Sequence, residues 1–143
     1  MGFYYLDDIA TADIAFRAEA DTIEGVFLFS AQALLDSMVA ETGSIKAKTA
    51  RNINIKQDAL DMLLFDFLQQ LIYFKDAENL LLSVNDLKIE KNNKSYQLSA
   101  LAKGEKISPE RHQLKADVKA VTLHKFQVSQ TDSGWYAQVI LDI

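Results

Sequence analysis

The stretch Gly104–His124, GEKISPERHQLKADVKAVTLH, sets the organisation of the whole chain. It contains the only proline, Pro109, and both histidines, His112 and His124. Its charged residues follow neither the helical nor the strand period, so no single regular element is predicted along it. Patterns typical of strands lie on both sides. We therefore predict a long ordered connection between two β segments, which follows a scaffold of helices and strands.

An alternating segment and a returning strand follow the connection. In the alternating segment, every second residue is predicted to face the same, largely apolar side of a strand; these residues are Val118, Ala120, Thr122, His124, Phe126 and Val128. Because His124 belongs to this set, it is predicted to be a core histidine with hydrogen-bonded ring nitrogens. His112 follows a proline turn and is predicted to be exposed. Turn residues at 132–134 precede the last strand, Trp135–Leu141.

The N-terminal part of the chain predicts strands alternating with two helices. Strands are expected at 3–6, 14–18 and 44–55, and a hairpin that turns at Asn92-Asn93 is expected between 80 and 102. One helix begins at a capping-box-like Asp21–Glu24, and the second begins at Asp58 with a wide apolar stripe. The fold class is therefore α+β. We expect a single domain over residues 1–143, with a sheet of several mainly antiparallel strands packed with two main helices.

The composition excludes several classes of function. The chain has 15 Lys and Arg against 20 Asp and Glu, a net charge of -5, which argues against strong direct binding of nucleic acid. It has no cysteine, so disulfides, zinc–thiolate sites and thiol nucleophiles are excluded. No secretory leader and no apolar stretch of about 18 residues is present. The sequence therefore predicts a soluble cytoplasmic protein without a membrane partner.

Six short segments together resemble the archease family. They are Thr11-Ala12-Asp13-Ile14, Gly104-Glu105, Arg111-His112, Val118–His124, Gly134-Trp135 and Val139–Ile143. The resemblance implies a non-enzymatic partner of the RtcB-type RNA ligase of transfer-RNA splicing and RNA repair, which promotes formation of the ligase's guanylate intermediate and its multiple turnover. It implies the archease-like fold as well. One departure is Ala10, where many members of the family carry a histidine.

Two aspartates and the chain end form the candidate metal site. Asp142 is the penultimate residue, so its side chain lies beside the terminal carboxylate of Ile143. Carboxylate oxygens are the ligands that hard divalent cations prefer. From the residues alone, a turn-capping Asp13 and a solvated Asp142 remain the favoured interpretation. The resemblance implies instead that Asp13, Asp142 and Ile143 bind a divalent cation, for which we expect Ca²⁺.

Other chemistry has less support in the sequence. The chain lacks a glycine-rich phosphate loop and a nucleophile elbow, so no catalytic residue and no nucleotide-binding residue is predicted. Lys119 and Glu105 are expected to form an ion pair. Two alternative functions stay open: a metal-dependent hydrolase that uses Asp13, Asp142 and a histidine, and a general chaperone-like binding protein.

Overall fold

The computed structural model of the protein describes residues 1–7 and 13–143. Ala10 and the first two residues of the N-terminal signature, Thr11 and Ala12, lie outside the described residues. Two helices, α1 and α2, and seven strands, β1 to β7, occur within them. Their bounds are β1 Gly2–Tyr5, β2 Ile14–Ala20, α1 Ile23–Met38, β3 Thr49–Gln57, α2 Leu60–Glu78, β4 Leu80–Asn92, β5 Ser95–Lys106, β6 Ala120–Thr131 and β7 Gly134–Asp142.

The strands form two antiparallel sheets. The larger sheet has the order β1-β2-β7-β6, and the smaller sheet has the order β3-β5-β4. Helix α1 packs against β2, β7 and β4, whereas α2 packs against β3, β6 and β4, so both helices contact both sheets. The predicted α+β class with two main helices is confirmed. The β structure is divided into two sheets because the chain crosses between them twice, through α1 and through the 107–119 connection.

Helix α1 begins within the predicted Asp21–Glu24 segment, but its N-cap is Thr22 rather than Asp21. The Thr22 hydroxyl oxygen accepts a hydrogen bond from the backbone N–H of Gly25 at 3.0 Å, which satisfies one of the unpaired donors of the first turn. Its buried face includes Phe27, whose ring lies 5.9 Å from that of Phe67 in α2. Both phenylalanines are fully buried. The two helices therefore meet through an aromatic contact in the core between the sheets.

Two predicted boundaries were wrong. Strand β3 begins at Thr49 rather than at residue 44, because Thr42–Ser44 form a 3₁₀ turn and the N–H of Lys48 turns back to the Lys46 carbonyl. Helix α2 begins at Leu60 rather than at Asp58, and its N-cap, Ala59, provides no side-chain hydrogen bond. Local turns, which a period-2 pattern does not reveal, set both boundaries.

The connection at 107–119 closes the C-terminal end of α1. The N–H groups of Lys115 and Ala116 donate to the carbonyls of Met38 and Ser37 at 2.8 and 3.1 Å. The N–H of Ala40 donates in turn to the Gln113 carbonyl at 2.8 Å. The first two of these bonds pair carbonyls that a helix end leaves without partners. The connection is thus ordered by backbone pairing with a helix terminus, as the lack of a regular period along it suggested.

A wide bulge interrupts β6. Thr122 is paired with Ile140 and Gln127 with Gln138, so three extra residues are accommodated between these two positions. Lys125 adopts a left-handed conformation there, with φ of 52°. The bulge breaks the alternation, and His124 is exposed. The prediction that His124 is a core residue was therefore wrong. It assumed that inward and outward side chains alternate without interruption along residues 118–128, whereas the bulge breaks this alternation.

Gly104, on the central strand of the smaller sheet, lacks space for a side chain. A Cβ atom at this position would overlap the carbonyl oxygen of Leu81 on β4. We expect Gly104→Ala to lower the free energy of unfolding by about 1–3 kcal/mol, the usual cost of forcing extra atoms into packed structure. Chemical denaturation of the purified variant measures this change.

The matched control is Gly43→Ala, where a Cβ atom would meet no atom within 4 Å. Neither glycine has a left-handed φ, so the comparison isolates the close approach of β4 and β5. Equal stability of the two variants would show that the strands separate at no cost.

Candidate functional site

The β2–β7 pairing places the two predicted metal-binding aspartates at the same end of the larger sheet. Ile14 at the start of β2 is paired with Leu141 near the end of β7. Asp13 immediately precedes Ile14 and Asp142 immediately follows Leu141, so the two aspartates lie at the same end of these paired strands. The sequence could not predict this neighbourhood, because it depends on which strand β7 joins.

The chemistry of this pair fits a hard cation. Asp13, Asp142 and Ile143 are all exposed, so a cation can reach them. The carbonyl of Asp142 accepts a hydrogen bond from the N–H of Lys119 at 2.8 Å, which holds the last strand in place up to its final residue. In the described part of the chain, no group of three or more His, Cys, Asp or Glu side chains could hold a metal ion. The predicted ligands, in contrast, are only two such side chains, Asp13 and Asp142, together with the terminal carboxylate of Ile143.

A cavity of about 430 Å³ adjoins Asp13. Its lining residues are Tyr5, Leu6, Asp7, Asp13, Ile14, Ala15, Ser37, Lys115 and Ala116. The Tyr5 hydroxyl donates to Asp36 Oδ2 at 2.6 Å, and the Lys115 ammonium donates to the Asp36 carbonyl at 2.9 Å. Burial, together with the hydrogen bond to Asp36, raises the pKa of Tyr5 to about 12, so its proton is retained at physiological pH. The cavity is thus lined both by the β1–β2 end of the larger sheet and by the 107–119 connection.

A second polar cluster lies at the end of β5, around the buried carboxylate of Glu105. Its Oε2 atom accepts a hydrogen bond from the Lys46 N–H at 2.8 Å and also contacts the Arg111 guanidinium. His112 Nε2 lies 3.0 Å from the same oxygen. The bond from Arg111, followed by that from Lys46, lowers the pKa of Glu105 to about 2. Glu105 is therefore ionised at neutral pH although its side chain is only 5% exposed.

His112 is buried and held in one tautomer. Its Nδ1 atom accepts a hydrogen bond from the Ser108 N–H at 3.0 Å, so the ring proton is assigned to Nε2, which donates to Glu105. The prediction that His112 is exposed was wrong, because the turn after Pro109 directs this side chain inward to the carboxylate. The sequence offered no spacing rule that could have found the pair.

The predicted ion pair between Lys119 and Glu105 was also wrong. Glu105 pairs with Arg111, His112 and, at 3.8 Å, Lys48. Lys119 lies instead beside the chain end through its backbone bond to Asp142. Glu105 lies near the end of β5, before the 107–119 connection, whereas Lys119 is the last residue of that connection, and this separation explains the error.

Comparison with known proteins identifies the family. Residues 3–143 match the Archease protein family (MTH1598/TM1083). The chain belongs to the archease family. It is 37% identical over 134 residues to the protein archease of Pyrococcus abyssi, and the matched region covers 93% of this chain and 94% of the relative. It is 34% identical to the protein archease of Methanosarcina barkeri over 142 residues, covering 99% and 95% of the two chains.

Solved structures show the same archease fold. The solution structure of protein 1598 from Methanobacterium thermoautotrophicum superposes with a TM-score of 0.85 at 33% identity, covering 99% of both chains. A crystal structure from Thermotoga maritima, described as an archease and possible chaperone, matches with a TM-score of 0.62 at 15% identity and covers 94% and 93% of the two chains.

Among the described residues, neither helix has the length and apolar character that a membrane-spanning segment needs.

The Glu105 cluster predicts a specific acid sensitivity. The pKa of Glu105 in the folded state lies near 2, below its ordinary value of 4.5, so its contribution to stability is present above pH 4.5 and is lost as the pH falls toward 2. We expect the difference in unfolding free energy between wild type and Glu105→Gln to shrink over this interval. Denaturant titrations at a series of pH values measure it.

Glu110→Gln serves as the control, since Glu110 is an exposed glutamate of the same connection. Its stability curve should run parallel to that of the wild type between pH 4.5 and 2. Parallel curves for Glu105→Gln as well would mean that this carboxylate adds nothing to folding.

Proposed function

We propose that this archease is a non-catalytic activator of an RtcB-type RNA ligase. In this role it promotes guanylylation of the ligase, and thereby multiple turnover, during transfer-RNA splicing or RNA repair in the cytoplasm. Membership of the archease family over almost the whole chain supports the proposal. The activity itself is what the family resemblance implies, and the ligase is the proposed protein partner.

The observation that carries the proposal is the placement of Asp13 and Asp142 at the same end of two paired strands, beside the chain terminus. We propose that these aspartates and the terminal carboxylate of Ile143 bind one divalent cation, with Ca²⁺ as the expected occupant. When bound, the cation neutralises the mutual repulsion of the carboxylates. The residues themselves then tie the start of β2 to the end of β7 and keep this end of the sheet in one arrangement for the ligase.

A hydrolase that uses these aspartates receives no support from the two histidines. His112 is buried, and its ring nitrogens contact Ser108 and Glu105 at the end of the smaller sheet. His124 is exposed in the β6 bulge, between Thr122 and Gln127, away from the paired strand ends. Neither histidine lines the cavity beside Asp13. The general chaperone alternative likewise has no specific observation in its favour among the described residues.

The cation site can be tested by metal binding and by thermal unfolding. We expect wild type to bind Ca²⁺ and to gain about 2.7 kcal/mol of stability at a hundredfold excess over the dissociation constant. Asp13→Asn and Asp142→Asn should lose both effects. Asp132→Asn, which removes the same charge from the exposed β6–β7 turn, should keep them. Calorimetry with Ca²⁺, Mg²⁺ and Mn²⁺ identifies the preferred ion, and equal heats for wild type and Asp13→Asn would refute the site.

Ligase guanylylation tests the proposed activity directly. Catalytic amounts of the protein should raise the rate and extent of guanylate formation by a purified RtcB-type ligase in the presence of GTP. Asp142→Asn should be impaired, and Asp132→Asn should match wild type. The protein alone should neither ligate RNA nor hydrolyse GTP. GTP hydrolysis that copurifies with wild type and vanishes in Asp13→Ala would favour a hydrolase instead.

A further inference from the structure

Charge is distributed unevenly over this acidic protein. Residues 46–57 and 80–106, which comprise the smaller sheet with its hairpin turn and the residues leading into β3, carry nine Lys or Arg and three Asp or Glu, a net charge of +6. The remainder of the chain carries six Lys or Arg and 17 Asp or Glu, a net charge of -11. The overall value of -5 therefore averages a basic sheet with an acidic remainder.

One face of the smaller sheet is open to solvent. Burial alternates along β5, where Leu98, Ala100 and Ala102 face the core while Ser99 and Lys103 are exposed. The strand register extends this exposed face across all three strands. Its exposed members on β3 and β4 are Ala50, Asn52, Asn54, Lys56, Asp86, Lys88 and Glu90. The face carries Lys56, Lys88 and Lys103 against Asp86 and Glu90, a net charge of +1, and Lys88 is paired with Glu90 at 2.8 Å. Lysines, small side chains and amides are typical contacts to nucleic-acid phosphates and sugars.

The excess of positive charge is greater in a cleft at one end of this face, which has three basic side chains and one carboxylate. A cavity of about 340 Å³ is lined by Lys48, Thr49, Glu105, Lys106, Ile107, Ser108 and Arg111. Its one lining carboxylate, Glu105, is buried and already engaged by Arg111, His112 and the Lys46 N–H. Arg111 is further held by a 3.1 Å hydrogen bond to the Ser44 carbonyl. The cleft therefore presents cationic groups on a prearranged backbone, and its carboxylate is withdrawn from solvent.

We propose that this exposed face of the smaller sheet, together with the cleft beside Arg111, binds the phosphodiester backbone of an RNA strand. The choice of RNA as the polyanion rests on the proposed function with an RNA ligase. The composition of the face argues against an acidic protein as the occupant, because protein interfaces have an apolar core and are depleted in lysine. On the face as described, Leu101 is a lone, partly buried large apolar residue between polar neighbours.

The proposal accounts for how an acidic protein can contact RNA. Interactions between exposed charges are largely screened beyond about 8 Å at physiological ionic strength, so the local charge of the sheet governs contact at short range. The acidic remainder still weakens approach from a distance. The contact is therefore weak at physiological salt when the protein is alone, consistent with the low affinity that the net charge predicts, and it strengthens steeply as salt is lowered.

A charge-neutralising variant tests the surface. The variant Lys56→Gln, Lys103→Gln, Lys106→Gln removes three exposed lysines that form no ion pair within the described residues. The control Lys125→Gln, Gln127→Glu, Gln130→Glu changes the net charge by the same -3 at exposed positions of β6. Fluorescence anisotropy with a labelled single-stranded RNA, from 20 to 200 mM salt, measures binding by wild type and both variants.

Wild type and the control should bind alike, while the sheet variant should bind on the order of tenfold more weakly at low salt. Its slope of log affinity against log salt should be shallower by about 2, since each lost phosphate contact removes about 0.7 for a single strand. Equal weakening of both variants, or no binding by wild type at 20 mM salt, would overturn the proposal. So would equally effective competition by polyglutamate of matched charge, because that outcome indicates an acidic protein partner.

Assays with the ligase separate this inference from the proposed function. When guanylylation is assayed without RNA, the sheet variant should stimulate it as wild type does, whereas joining of RNA ends at low RNA concentration should fall. Loss of guanylylation in the sheet variant would show that the face binds the ligase, and would contradict the RNA assignment. Failure of wild type to stimulate guanylylation, with RNA binding intact, would contradict the ligase role and leave the RNA surface standing.

Discussion

The buried carboxylate of Glu105 is the interaction on which the arrangement of the two sheets depends. Removing an ionised carboxylate from water costs several kcal/mol unless donors replace the lost hydration. Here the donors come from the residues leading into β3 and from the 107–119 connection, through Lys46, Arg111 and His112. Because Glu105 is the penultimate residue of β5, the central strand of the smaller sheet, this cluster fixes where the connection leaves that sheet. Backbone pairing with α1 then leads the chain to the larger sheet.

A second ion pair anchors the far end of the same connection. Lys75 on α2 is buried, and it donates to Asp117 at 2.6 Å and to Asp76 at 2.8 Å. Burial alone would lower the pKa of Lys75, but the hydrogen bonds to Asp117 and Asp76 outweigh it, and the pKa is raised. The connection is therefore held at both ends by charges and in its middle by backbone bonds. Its end leads into β6, which is adjacent to β7 and the chain terminus.

The two proposed functional surfaces have opposite charge and lie on different sheets. The acidic pair at the β2–β7 strand ends suits a cation, whereas the exposed face of β3, β5 and β4 suits a polyanion. The connection joins the two surfaces, because it begins at the Glu105 cleft and ends beside Asp142. An accessory protein of an RNA ligase would need to face both its protein partner and the RNA. The segregation of charge gives these two contacts separate places on a small molecule.

Local pattern in the sequence determined the fold class, the two helices, most of the strands and the role of residues 104–124 as a connection, since apolar periodicity and turn residues act within a few positions. The aspartates of the candidate site could be named from the sequence together with the family resemblance. Only the tertiary structure decided that Asp13 and Asp142 lie at the same end of two paired strands, that His112 is buried against Glu105, and that the β6 bulge exposes His124. Each of these depends on strand pairing or on contacts between residues distant along the chain. The division of charge between the sheets likewise becomes a surface property only when β3, β4 and β5 come together.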